Sequence, residues 1–514
     1  MPSRFACALA ALAGAVTVFG FAPFGWKALP VVTLAALFLL WQRAPTARAA
    51  AAIGFWFGAG LFGAGVSWVY VALETFGGMA PPLAALATAG LVAFLSLYPA
   101  LAGGMAARLT RPAGTARIVA GAAAFVLAEW LRGYLFTGFP WLTVGYSQLP
   151  GNALAGYAPI GGVWLVSLAL VIVAAAAAVA ADALADGPRG RIALCAFTAV
   201  AVVLAGAGLR RIEWTQPDGT PLAVSLVQGN VAQDVKFERS FRERTYALYT
   251  ALAQSSRGQL IVFPESTFPM FADEVPPAVV AGLAEVARAR DGELLFGVFL
   301  IEPPLEGALE PRVYNSVVSV GTRPTNVYRK RHLVPFGETI PLKPLVGWVM
   351  RNLLSIPIGD QARGPEVQPP FAVGDERIAV NVCYEDAFGD ELRGAARTAT
   401  LLVNVTNDAW YGRSIAARQH NQIAAMRALE LGRPMLRATN TGITSAIGHD
   451  GRVVDELPWF TRGVLEVVVE GRRGDTPYVR FGDALPLAVT ALVFAGAILA
   501  PRVPPRRRAA QRAG

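Results

Sequence analysis

Ile378-Ala379-Val380-Asn381-Val382-Cys383-Tyr384-Glu385-Asp386 is a short apolar run that delivers a cysteine into a sharply polar turn. Its alternating β-branched residues read as a buried strand. The carboxylates that follow, ahead of a helix-like stretch at 391–398, put Cys383 at a strand-to-helix corner. A thiol at such a corner is expected to be exposed at the strand's end and close to helix N-terminal dipoles that favour the thiolate. The competing reading is an inert core cysteine, since free Cys is commonly a small buried hydrophobe. The rest of the chain decides between them.

At 514 residues and 54% hydrophobic content, with a mean hydropathy of +0.44, the chain is too apolar for a soluble protein of its length. It reads as an integral membrane protein. The net charge of +9 does not point to nucleic acid, because much of the arginine sits in short connections between apolar spans, where it sets topology. Of the three cysteines, Cys7 and Cys195 lie inside apolar spans, and Cys383 alone lies in a soluble segment. With no two cysteines close in sequence and no ligand spacing among His332, His420 and His449, neither a disulfide framework nor a metal site is expected, and no cofactor.

Apolar runs occupy 5–21, 29–41, 51–73, 82–106, 118–135, 160–181 and 192–209. All but the second are long enough to cross a hydrocarbon core of about 30 Å. The first is read as an uncleaved anchor, for no small-residue cleavage site precedes Pro23. Cations cluster in alternate connections: Arg43 and Arg48, then Arg108, Arg111 and Arg117, then Arg189 and Arg191. These connections and the N-terminus are therefore expected on the cytoplasmic side. A soluble α/β domain follows at 211–483 on the outer side, then an eighth span at 484–500 and a basic tail at 501–514. The tail's arginines belong in the cytoplasm, in agreement with an even number of spans.

Within the soluble domain, β-rich runs recur at 222–227, 259–263, 293–300, 313–320, 377–382, 400–405 and 444–447, with helix-like stretches at 238–253, 277–290 and 416–431. That alternation predicts layered sheets covered by helices. Three of the strand-like runs end in a reactive group: Glu265 after 260–263, Lys330 after 325–328, and Cys383. A carboxylate, an ammonium and a thiol together suit general base, oxyanion stabiliser and nucleophile in acyl transfer. Each alone reads more readily as a solvated charge at a strand end; the combination is what carries information.

Phe263-Pro264-Glu265-Ser266, Tyr328-Arg329-Lys330, the run from Leu333 to Glu338, and Cys383-Tyr384-Glu385 resemble the motifs of the nitrilase superfamily. Glu129-Trp130-Leu131-Arg132, the run from Thr137 to Trp141, Val227-Gln228-Gly229-Asn230 and the run from Arg427 to Pro434 extend the resemblance to the apolipoprotein N-acyltransferase family over essentially the whole chain. The resemblance implies an eight-helix membrane bundle carrying a nitrilase-like αββα sandwich, in the bacterial inner membrane with the catalytic domain periplasmic. It implies a Glu265, Lys330, Cys383 triad, with Glu338, Tyr384 and Glu385 in support. It implies a phospholipid acyl donor, usually phosphatidylethanolamine, a thioester on Cys383, and a diacylated apolipoprotein as acceptor. Phe237 stands where some relatives carry a tryptophan.

The apolar segment 345–358, with Trp348, reads either as an interior helix or as an arm dipping into the membrane. Trp410 and Tyr411 are candidates to line an acyl entrance. Trp130, Arg132 and Trp141 are read as interface anchors or as contacts to phospholipid headgroups. Two other functions fit parts of the chain: a membrane-tethered amidase for a small soluble substrate, and a transporter with an external binding domain. Eight spans exceed what a tether requires, and transporters usually place ionisable groups within spans and show repeats, which this sequence lacks.

Overall fold

The computed structural model describes residues 3–110, 114–186, 188–236, 238–304, 310–339 and 360–499. Phe237, Trp348, the 345–358 segment and the tail 501–514 lie outside the described residues.

The N-terminal half is helical: α1 (Arg4–Thr17), α2 (Leu29–Arg43), α3 (Ala47–Gly65), α4 (Pro81–Leu109), α5 (Thr115–Arg132), α6 (Ala158–Asp186) and α7 (Arg189–Leu209). Four helical stretches, Ala47–Gly65, Pro81–Leu109, Ala153–Leu184 and Arg189–Leu209, are long and apolar enough to cross a membrane. Shorter apolar helices lie at Arg4–Gly20, Leu29–Arg43 and Ala484–Leu499. The third apolar run does not continue as one helix to residue 73. It stops at Gly65, where Val66 leaves the helical region, and resumes as a short turn, Val69–Val71, and a π-helical segment, Ala72–Phe76. Hydropathy carries no signal of that break, because the residues on both sides are equally apolar.

The C-terminal part holds two sheets. The first runs β13 (Gly463–Arg473), β1 (Gln216–Gln228), β2 (Leu260–Val262), β4 (Glu293–Glu302), β5 (Arg312–Gly321), β6 (Val327–Arg329), with β3 (Phe268–Phe271) paired to β4. The second runs β12 (Val453–Glu456), β11 (Ser445–Ile447), β10 (Met435–Thr439), β9 (Leu401–Thr406), β8 (Glu376–Val382), β7 (Phe371–Val373). Period-two alternation sorts their side chains. Val224, Leu226, Leu260, Val262 and Leu295 share one core with Ile378, Val382, Val403 and Val405 of the facing sheet. Val227, Ile261, Leu294 and Phe296 are out of phase and pack instead with Tyr249 of α8 (Arg242–Ser255) and Leu283 of α9 (Pro277–Arg288). On the far face of the second sheet lie α10 (Gly389–Ala396) and α11 (Ala416–Leu431). The result is the expected four-layer arrangement of helix, sheet, sheet and helix.

After β13 the chain returns to the membrane half as α12 (Ala484–Leu499), which packs on α5 and α6. The halves are joined chiefly by α11. Its Gln419 accepts from the indoles of Trp141 (2.7 Å) and Trp68 (3.3 Å). Gln422 accepts from the Ala22 N–H (3.1 Å) and donates to the Leu149 carbonyl (3.1 Å). Glu430 accepts from the Val163 N–H at 2.5 Å. Spacings of three, eight and eleven residues put these side chains on one helical face.

Candidate active site

β1, β2 and β4 are mutually parallel, as are β8, β9 and β10. Parallel strands end together, and ligand sites of such sheets form beyond their carboxyl ends. There a chain of asparagines stitches the two sheets. Asn230 N–H donates to the Asn440 carbonyl (2.9 Å), Asn440 Nδ2 donates to Asn407 Oδ1 (3.0 Å), and the Asn407 N–H donates to Glu265 Oε2 (2.9 Å).

Cys383 follows β8 with φ of +52°, a left-handed conformation that is costly for a side chain of this kind and persists only where its surroundings enforce it. The expected exposure at the strand end is not found: Cys383 is only 7% accessible. Nor does an α-helix start at the thiol, because Cys383–Ala387 is a 3-10 turn and α10 begins only at Gly389. Burial therefore pushes the Cys383 thiol well up, the Glu265 charge adds to this, and Lys330 offsets it only in part. The resting group is a thiol that needs a base.

Glu265 follows β2, and Lys330 follows the edge strand β6. Lys330 Nζ lies 2.8 Å from Glu338 Oε1 and 3.6 Å from Glu265 Oε1. Burial works to depress this ammonium, but Glu338, Glu265 and Cys383 outweigh it and hold it above the ordinary lysine value. Asn315 Nδ2 bridges the carboxylates, at 2.8 Å from Glu265 Oε1 and 3.3 Å from Glu338 Oε1. Glu338 Oε2 in turn accepts from the Val334 N–H (2.8 Å). A buried ammonium, two carboxylates and a thiol in one place can deliver and remove a proton beside a fixed positive charge, which suits acyl transfer.

Glu385 ties the Cys383 turn to the lysine loop. Its carboxylate accepts from the Val382 N–H (2.6 Å), the Arg331 N–H (2.7 Å), the His332 N–H (3.0 Å) and the Tyr328 hydroxyl (2.9 Å). Tyr384 turns toward the membrane half, its hydroxyl donating to the Gly138 carbonyl at 2.9 Å. Sequence reasoning missed Asn315, Asn407 and Lys236. Asn407 had a readable signal, a polar run closing an apolar strand. Lys236 had none. Its Nζ donates to the Glu265 carbonyl at 3.2 Å, and burial, opposed by Glu265, pushes it down to about 7.

Tyr411 and Trp410 follow β9 at the membrane side. The Tyr411 ring meets Trp68 edge-on at 4.6 Å, and Trp410 meets Phe76 at 6.4 Å. Trp68 in turn contacts Trp141 at 5.3 Å. Beside it, between α3 and α4, lies an apolar groove of about 490 Å³ lined by Phe55, Ala59, Tyr70, Ala85 and Val92. Arg132 and Trp141 are both buried. The Arg132 guanidinium donates to the Phe139 and Trp141 carbonyls and so holds the 139–141 loop. Trp130 donates to Asp483 at 3.1 Å, just ahead of α12.

Residues 13–176 match the family model described as the apolipoprotein N-acyltransferase N-terminal domain. Residues 205–478 match that of the carbon-nitrogen hydrolases. A protein of Nitrosomonas europaea named apolipoprotein N-acyltransferase is 49% identical over 95% of this chain and 96% of its own length. One of the same name from Ralstonia nicotianae is 42% identical over 96% and 93%. Among solved structures, a Nesterenkonia amidase of the nitrilase superfamily matches at a TM-score of 0.36 and 18% identity, over 51% of this chain and 95% of its own. Identity of this extent, spanning the helical half and the sheet domain alike, means that the chain belongs to the apolipoprotein N-acyltransferase family.

Proposed function

We propose that the chain moves a fatty acyl group from a phospholipid, phosphatidylethanolamine in the first instance, to the α-amine of the diacylglyceryl-cysteine that begins an apolipoprotein, the last step of lipoprotein maturation. The observation that carries the reading is the buried cluster of Cys383, Glu265 and Lys330, with the two charges 3.6 Å apart, set against apolar helices and not against open solvent.

Glu265 takes the Cys383 proton, and the sulfur attacks the ester carbonyl. The resulting oxyanion is stabilised by Lys330, which Glu338 holds in place. Collapse breaks the C–O bond, Glu265 returns the proton to the glycerol oxygen, and a lysophospholipid leaves a thioester behind. In the second half the acceptor's uncharged α-amine attacks the thioester and gives its proton to Glu265. The C–S bond breaks and the proton returns to sulfur. Glu385 and Tyr384 keep the nucleophile turn in register, and the Trp410 and Tyr411 pair with the groove between α3 and α4 guides the acyl chain.

In this reading residues 1–210 supply seven spans, 211–483 the periplasmic catalytic domain, 484–500 the eighth span and 501–514 a basic cytoplasmic tail. Both termini are cytoplasmic and the membrane is the bacterial inner membrane. The helices α1 to α7 and α12, four of them in long apolar stretches, support that count. The direct test is intact-protein mass spectrometry of enzyme purified from membranes, with and without hydroxylamine. A hydroxylamine-labile fatty-acyl adduct is expected on the native chain and not on Cys383→Ala. Its absence after loading with phosphatidylethanolamine would overturn the donor half of the reading.

A further inference from the structure

Beneath the nucleophile turn lies a closed set of four buried charges that the acyl-transfer steps do not use. Asp386 belongs to the turn itself, Asp408 follows β9, Arg437 sits in β10 and His420 on α11. Each is 2% exposed or less. His420 Nδ1 is 2.8 Å from Asp408 Oδ1, and its Nε2 is 2.9 Å from Asp386 Oδ1. A carboxylate only accepts, so both ring nitrogens must carry protons and the ring is an imidazolium. Arg437 donates to Asp386 through Nη1, and its Nη2 lies 3.9 Å from Asp408. Two cations and two anions cancel, which is the condition for burying so many charges.

The quartet reaches the nucleophile at two points. His420 Nε2 is 3.3 Å from the Cys383 carbonyl oxygen, which also accepts from Asn404 Nδ2 at 3.1 Å. Thr406 donates to Asp408 Oδ1 at 3.3 Å and lies near enough to the Cys383 sulfur to favour its charged form.

We propose that His420, held as an imidazolium between Asp386 and Asp408, is a positioning residue for Cys383. It clamps the carbonyl of a residue whose left-handed φ is not self-sustaining, and through Asp408 and Thr406 it aims the thiol. The inference builds on the reading of Cys383 as nucleophile. The charged groups facing the ring are Asp386 of the turn, Asp408 after β9 and Arg437 of β10. The membrane half presents the Trp141 ring, 5.5 Å away and uncharged. Burial works against the charge on His420, but Asp386, opposed by Arg437 and helped by Asp408, raises the ring to about 9. Above that pH a ring nitrogen turns a lone pair toward a carboxylate, and the clamp opens.

The test follows single-turnover formation of the Cys383 adduct by intact mass, using the full chain in detergent with phosphatidylethanolamine, from pH 6 to 10. Near-ultraviolet circular dichroism at each pH reports the fold. The native rate is expected to fall as pH rises through about 9 with the fold retained. His420→Gln keeps a donor but cannot titrate, and is expected to be slower by on the order of 10²-fold, with half-saturating phospholipid unchanged within about twofold and without the alkaline fall. Should His420→Gln fail to fold, the native profile and Thr406→Val, expected to be about tenfold slower, decide instead. A native rate that holds through pH 10, or a His420→Gln rate equal to native, overturns the clamp while leaving the thioester intact. No adduct on the native chain at any pH removes the reading of Cys383, and the clamp with it.

Discussion

Glu385 accepts four hydrogen bonds, and an amide at its position would turn a donor toward N–H groups that need an acceptor. Glu385→Gln is therefore expected to lose about 2–4 kcal/mol, at roughly 1–3 kcal/mol for each buried donor left unmet, and to slow thioester formation with it. Tyr328→Phe removes one donor and is expected to cost only about 1 kcal/mol. Thermal unfolding in detergent, beside adduct formation, checks the pair, and equal losses in both variants would count against Glu385 as the pin. At this scale much was legible. Glu265, Lys330 and Cys383 follow strands that can be read from alternation, and the structure brings the first two within 3.6 Å of each other. The burial of Cys383 was not legible, because it is imposed by α11 and the membrane half, elements far from it in sequence.

Element by element, long apolar helices and central strands were the easiest to read. β10 (Met435–Thr439) escaped because Arg437 interrupts its apolar run, and only the Asp386 and Asp408 carboxylates from neighbouring segments make that arginine tolerable inside a sheet. β13 (Gly463–Arg473) did carry the alternating pattern of an edge strand, exposed and buried by turns, and was passed over. α6 conceals a break: Gly161 and Gly162 depart from helical angles, Gly162 with φ of +64°. A Cβ there would stand 2.6 Å from the Tyr478 ring. Gly162→Ala combines a left-handed backbone with overpacking and is expected to cost about 2–4 kcal/mol. A thermal midpoint within a degree of native would refute that account of the kink.

On the scale of the whole molecule, the sheet domain has a face it cannot leave open. Gln419, Gln422 and Glu430 of α11 and Tyr384 beside Cys383 find their partners among Gly138, Trp141, Leu149 and Val163 of the membrane half. Residues 211–483 produced alone are expected to aggregate or to bind hydrophobic dyes, and to form no acyl adduct. Size-exclusion chromatography and intact mass decide this, and a monodisperse fragment that acylates Cys383 would refute it.

Glu430 completes the first turn of a membrane helix that restarts at Val163, 267 positions earlier in the chain. The natural cut between the halves, near residue 210, thus separates two parts of a single joint. Genes of two relatives spliced at that point would inherit a helix start from one parent and its cap from the other. Such hybrids should succeed only where both parents already agree at 138–163 and along α11, which makes that pair of segments, and not the boundary between domains, the unit that descends together.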